Sequence, residues 1–188
     1  METKLASSLA EINTRAEAFG FDMNSGMQVG ALLASLAASK PGGQFLELGT
    51  GCGLGVAWLL SGMDAQSHLL SVDTDEAPQG IARDVLGADP RVTFELDDGG
   101  AVLERTDAES YDLIFADAWP GKFSHLDEAL EALRPGGLYV VDDLLPQPNW
   151  PDGHQTNVDA YLEDLRGREG FAFIQMDWAT GIAMMVKR

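Results

Sequence analysis

The chain has a single cysteine, Cys52, among 188 residues, so no internal disulfide can form and the fold must hold by packing alone. Positive charge is also scarce: 12 lysines and arginines face 30 aspartates and glutamates, a formal charge of -18. A field of that sign repels phosphate backbones and anionic lipid heads, which argues against nucleic acid and membrane surfaces as partners. No apolar run approaches the roughly 18 residues of a membrane span. The first hydrophobic residues are interrupted by Glu2, Lys4, Glu11, Arg15 and Glu17, unlike a secretory leader, so the expected compartment is the cytoplasm. Internal repeats and low-complexity tracts are missing too. What remains is a length suited to one domain over residues 1–188, with 45% hydrophobic residues to build its core.

The apolar pattern divides that domain. Leu5, Leu9, Ile12, Ala16 and Phe19 recur at helical spacing, giving a face that docks on its own core or meets a second copy in a homodimer. Val29, Leu32, Leu33 and Leu36 mark a second helix that stops at Lys40-Pro41-Gly42-Gly43. Residues 1–40 thus read as a helical cap and 44–188 as an α/β core. From Gln44 onward, short apolar runs at 45–48, 68–72, 91–96, 111–116 and 137–142 alternate with helical segments, the pattern of a parallel sheet with helices on both faces. The runs Phe171 to Met176 and Ile182 to Val186 are joined by too few residues for a crossover helix and predict a C-terminal antiparallel hairpin. The expected fold is a Rossmann-like, seven-stranded, mostly parallel sheet.

The first strand runs into Gly49-Thr50-Gly51-Cys52-Gly53-Leu54-Gly55 and then into an apolar helix. Glycines there allow positive φ and let a nucleotide-like ligand lie against main-chain amides at a helix N-terminus. The dinucleotide pattern Gly-x-Gly-x-x-Gly fails, because its sixth position is Leu54 counted from Gly49 and Val56 counted from Gly51. Glu47, two residues before Gly49, would repel a pyrophosphate but accept hydrogen bonds from an ammonium group or water. A cationic cofactor fits better. Asp73, ending the second strand, is placed to accept ribose hydroxyls.

Glu-x-Gly-x-Gly-x-Gly after the first strand resembles motif I of class I S-adenosylmethionine-dependent methyltransferases. The likeness to catechol-type O-methyltransferases extends over nearly the whole chain. It implies S-adenosyl-L-methionine as cofactor, held by Met23, Asn24, Ser25, Glu47, Gly49, Thr50, Gly51, Gly53, Asp73, Asp98 and Asp117, with Met23-Asn24-Ser25-Gly26 closing over its methionine end. Phe115-Ala116-Asp117-Ala118-Trp119 resembles the family's Asp-x-Trp, and Leu133-Arg134-Pro135-Gly136-Gly137 followed by Asp142-Asp143 resembles its Pro-Gly-Gly turn and metal pair. The resemblance implies that Asp117, Asp142 and Asp143 bind a divalent ion, and three hard oxygen ligands suit Mg²⁺ or Ca²⁺. Such an ion would hold a small-molecule diol and lower its pKa.

Two departures from the family stand out. Asp143 occupies the place of a usual asparagine, which would leave a metal site with three carboxylates negatively charged. The family's lysine three residues after the first metal aspartate is replaced by Pro120, and the nearest lysine is Lys122, read either as reaching back or as opening the next helix. His154 closes the loop Pro146 to Gly153 at the catalytic edge, where Trp150 can stack on a flat acceptor and His154 can take its proton. Asp117, Lys122 and His154 are therefore the catalytic candidates. The expected function is O-methylation of a small molecule. The rivals are a metal-independent methyltransferase using the 146–154 loop, a non-catalytic S-adenosylmethionine-binding protein, and an NAD-dependent oxidoreductase. The last is opposed by the missing third glycine and the lack of a Tyr-x-x-x-Lys pair.

Overall fold

The computed structural model describes residues 2–147, 150–151 and 153–188. Two helices, α1 (Glu2–Phe19) and α2 (Met27–Ala38), precede an alternating core. It runs β1 (Gln44–Leu48), α3 (Leu54–Gly62), β2 (His68–Asp73), α4 (Glu76–Leu86), β3 (Val92–Leu96), α5 (Gly99–Glu104) and β4 (Tyr111–Ala116). The chain then continues through α6 (Leu126–Glu131), β5 (Leu133–Val141), α7 (His154–Gly167), β6 (Phe171–Met176) and β7 (Ile182–Lys187). Among the described residues no helix is long and apolar enough to cross a membrane.

The strands form one seven-stranded sheet in the order β3-β2-β1-β4-β5-β7-β6. The first five are parallel, and β7 pairs antiparallel with both β5 and β6. The expected Rossmann-like sheet with a C-terminal hairpin is therefore present. β5 starts earlier than the apolar run at 137–142 suggests: Leu133 already pairs with Tyr111, and the register shifts before Leu113 pairs with Leu138. The shift absorbs the Pro135-Gly136-Gly137 turn, whose Gly136 has φ +78.

Strand side chains alternate between two apolar layers. Phe45, Leu113, Phe115, Leu138 and Val140 pack with Ile12, Val29, Leu33, Val56 and Leu59 of the first three helices. Leu46, Ile114, Ala116, Tyr139 and Val141 pack with Val102, Leu103, Leu130, Val158 and Leu165 of α5, α6 and α7. The α1 face docks on its own core, since Ile12 and Ala16 are fully buried and Leu5 and Leu9 pack against the first layer. Its last member, Phe19, is left exposed.

Strand order reverses between β1 and β4, because β1 leads on to β2 and β3 on one side while β4 begins the other half. Their two C-terminal ends are tied together by Asp117 N–H donating to the Leu48 carbonyl at 2.9 Å. In open α/β sheets such a reversal opens a crevice outside the strand ends, and ligands bind there.

Candidate active site

Gly49, Gly51 and Gly53 all take positive φ, at +100, +50 and +95. A Cβ on Gly49 would lie 2.6 Å from the Asp117 carbonyl oxygen, so only glycine lets the two strand ends approach so closely. Gly53 caps α3 with a left-handed backbone. Above this turn lies a cleft of about 220 Å³ lined by Phe21, Met23, Asn24, Ser25, Glu47, Gly49, Thr50, Gly51, Asp73 and Asp117, among others. It therefore gathers nearly all the cofactor candidates of the sequence. Gly53 and Asp98 lie outside it, the first beneath the turn and the second further along.

Glu47 is fully buried. Its Oε2 accepts the Ser71 hydroxyl at 2.5 Å, while Oε1 has no partner among the described residues and would sit 2.2 Å from any Cβ on Gly55. Burial pushes this carboxyl well above its usual range, and Asp117 and Asp73 push the same way against the Ser71 bond. The hydroxyls of Ser71 and Thr50 lie 2.8 Å apart, and Gln79 Nε2 donates to Thr50 Oγ1 at 3.2 Å and to the Glu95 carbonyl at 2.9 Å. This buried chain of polar groups fixes the wall behind the glycine turn.

At the end of β2, the Asp73 carboxylate accepts the amides of Gly51 at 2.8 Å and Asp75 at 2.9 Å, and so stands at the rim with free lone pairs. A second cavity of about 270 Å³ continues from Gly49 and Asp73 to Asp97 and Asp98. Asp98 is exposed and caps α5 through the Ala101 amide at 3.0 Å. Asp97 is held 2.9 Å from Arg105. Cys52 is buried in the turn, its thiol pushed up by burial, which suits a packing role.

A third cavity, of about 380 Å³, opens on the other side of Asp117 and is lined by Met23, Ser25, Trp119, Lys122, Asp142, Asp143, Gln147, Trp150, His154 and Thr180, among others. Asp117 borders both this space and the cofactor cleft, and its Oδ2 accepts the Ser25 hydroxyl at 3.2 Å. Burial raises the Asp117 carboxyl to about 8, helped by Asp142 and Asp143 and opposed by Lys122 and Ser25. Asp142 is raised to about 6, again chiefly by burial. Its Oδ1 accepts the Thr180 hydroxyl and the Asp143 amide, the latter at 2.7 Å. Asp143 has φ +57, a conformation that asparagine and aspartate tolerate best among side-chain-bearing residues. His154 forms the far wall with its ring centroid 4.7 Å from Trp150, 5.3 Å from Phe123 and 6.2 Å from Trp119.

Lys122 does not open a helix. It sits in a turn made by Gly121 N–H donating to Ser124 O at 2.7 Å and Phe123 N–H donating to Trp119 O at 2.8 Å, and α6 begins only at Leu126. The lysine is buried, with its Nζ donating to the Asp142 carbonyl at 2.6 Å. Burial lowers its pKa, and Asp117, Asp143 and Asp142 hold it up.

The expected metal triad is not assembled. Among the described residues no group of three acidic, histidine or cysteine side chains is gathered as Asp117, Asp142 and Asp143 were expected to be around Mg²⁺. Around these carboxyls, Thr180 and the Asp143 amide engage Asp142 Oδ1, Ser25 engages Asp117 Oδ2, and Lys122 lies close enough to feel all three. Ser71, Gln79 and Thr180 escaped the sequence reading, because Ser71 reaches the site through strand pairing, Gln79 from α4 and Thr180 through the hairpin turn, and none carries a local motif. Pro148, Asn149 and Asp152 of the 146–154 loop lie outside the described residues.

Comparison with known proteins agrees with this geometry. Residues 46–144 match the family described as "Methyltransferase domain", and the chain belongs to that family. A relative from Mycolicibacterium vanbaalenii named "Putative O-methyltransferase" is 42% identical over 119 residues, which is 60% of this chain and 52% of the relative. The chain thus spans about half the length of the curated relatives it matches. Two solved structures share the fold. An O-methyltransferase from Bacillus cereus in complex with SAH is similar with a TM-score of 0.83 and 20% identity over 97% of this chain and 91% of that one. The O-methyltransferase TomG from Streptomyces achromogenes, in complex with SAM, is similar with a TM-score of 0.80 and 24% identity over 96% of this chain and 89% of that one.

Proposed function

We propose that the chain is an S-adenosylmethionine-dependent methyltransferase acting on an oxygen of a flat small-molecule acceptor. The observation that carries this reading is that the cleft over the glycine turn meets the aromatic-walled cavity at Asp117, at the switch point of the sheet. The residues present fit the cofactor. The unpartnered Glu47 Oε1 suits its ammonium, the Asp73 carboxylate its ribose hydroxyls, and the glycine turn leaves room for its methionine arm against the backbone. When bound, S-adenosylmethionine supplies an electrophilic methyl on a sulfonium sulfur, and transfer to oxygen leaves S-adenosylhomocysteine.

The chain's own residues have separable tasks in that reading. Trp119, Trp150 and His154 clasp the acceptor and hold it in one plane. Lys122 keeps N–H donors beyond the one given to Asp142, and these stabilise negative charge on the acceptor oxygen. Asp117, whose carboxyl titrates near 8, takes the hydroxyl proton in its ionised form, so transfer should rise as pH climbs toward 8. The Ser25 bond to Asp117 draws the 20–26 segment over the cleft and excludes water.

The test is incubation with methyl-labelled S-adenosylmethionine and a panel of hydroxylated aromatic acceptors. Label should appear in a methyl ether, in step with S-adenosylhomocysteine. Label confined to amine or thiol acceptors would contradict the oxygen specificity, and tight cofactor binding with no transfer to any acceptor would favour the non-catalytic rival.

A further inference from the structure

We propose that Lys122 is the built-in cation of the acceptor site, standing where the resembling enzymes hold a divalent ion, and that the site works without a metal. The second half rests on the methyltransferase reading; the first half does not.

The argument starts from the turn after β4. In the resembling family a lysine lies three residues after the first aspartate, whereas here it lies five residues after Asp117, beyond Pro120-Gly121. The longer turn needs Gly121 at φ +82, and it is pinned from below by Tyr139, whose hydroxyl donates to the Gly121 carbonyl at 2.5 Å. The closed turn directs Lys122 inward. Its Nζ is planted on the Asp142 carbonyl at 2.6 Å, and only 7% of the residue is exposed.

A buried ammonium needs neighbouring negative charge; Asp142 and Asp143 at the end of β5 border the same cavity and supply it, and Asp117 adds to it once ionised. The two departures from the family therefore compensate each other. Asp143 in place of asparagine adds a carboxyl that would over-charge a dication site, and the displaced lysine brings the positive charge that balances it. A dication entering the same space would face the ammonium directly, across the carboxyls that already balance it. Unlike a dication, which chelates two adjacent oxygens, one ammonium pairs with a single acceptor oxygen, so the site has no need of a vicinal diol.

Manganese binding followed by the electron paramagnetic resonance of free Mn²⁺ tests this without activity. The full wild-type chain should leave Mn²⁺ free at about 100 µM, while Lys122→Met, checked for folding by its melting curve, should gain at least about tenfold in affinity for one ion. Lys122→Arg should stay like wild type. One ion bound by wild type below about 100 µM and lost in Asp142→Asn would overturn the proposal, as would a folded Lys122→Met with no gain. If Lys122→Met does not fold, the wild-type and Asp142→Asn titrations decide alone. Transfer activity should be the same in EDTA and in Mg²⁺, and a tenfold loss in chelator restored by Mg²⁺ overturns the proposal. Manganese results as expected in a chain that transfers nothing would leave Lys122 as the resident cation and sink the methyltransferase reading instead.

Discussion

Asp117 shows how much chemistry the switch point concentrates on one side chain. Its amide ties β4 to β1, its carbonyl faces Gly49, and its carboxyl borders both the cofactor cleft and the acceptor cavity. The carboxyl's ordinary value is 3.8 and its value in the fold is about 8, so the native state holds a proton there that the unfolded chain has released. Stability should therefore fall as pH rises from about 4 to about 8, with Asp142 contributing up to about 6. Melting temperatures taken across that range should decline, and Asp117→Asn should flatten the decline and melt higher than wild type at pH 8. Gly49→Ala is the companion test of the turn. With φ at +100 and the Asp117 carbonyl 2.6 Å from the new Cβ, it should cost about 2–4 kcal/mol in denaturant unfolding and at least about tenfold in S-adenosylhomocysteine affinity. Glu47, Asp73 and Asp117 could be picked from sequence because each abuts a strand end with a motif around it. Their partners could not: Ser71 reaches Glu47 only because β1 and β2 pair in that register, and Thr180 meets Asp142 only because the hairpin folds back.

At the scale of elements, most of the sheet was readable from its apolar runs, since β1, β4 and the second half of β5 are buried continuously and each crossover has helical spacing. The segment between β4 and α6 was not. Pro120-Gly121 announces a turn, but nothing local says that the turn buries Lys122, nor that His125 takes a left-handed backbone at φ +54 and caps α6 instead of lying within it. The controlling contact is tertiary. Tyr161 of α7 and Tyr139 of β5 share a 2.5 Å hydroxyl contact, and Tyr139 hands its own proton to the Gly121 carbonyl, so Tyr161 is the donor to Tyr139. Tyr139→Phe should cost about 1–3 kcal/mol and lower transfer with it, because it strands two buried groups and loosens the turn that carries Lys122. Tyr161→Phe removes only the outer donor and should cost about 1 kcal/mol with transfer retained. Urea unfolding and initial rates on the two variants separate these outcomes. Equal losses in both would mean that the hydroxyl chain does not act through the turn.

For the whole molecule, the -18 charge takes on a spatial meaning. Glu47 lies within β1, while Asp73, Asp98, Asp117, Asp142 and Asp143 end or follow β2, β3, β4 and β5, so part of the acid lines a single mouth at the C-terminal edge of the sheet. Such a mouth attracts a sulfonium cofactor and repels phosphate-bearing acceptors. The expected Mg²⁺ triad is not gathered there among the described residues, and sequence shows three carboxyls at strand ends but not the lysine folded in among them. The central claim is that this mouth is built for S-adenosylmethionine, and titration calorimetry of the full chain with S-adenosylhomocysteine tests it most directly. Binding of one molecule with micromolar affinity, weakened at least about tenfold by Asp73→Ala, is the expected result. Absence of binding to the folded wild-type chain at about 1 mM ligand would contradict the account.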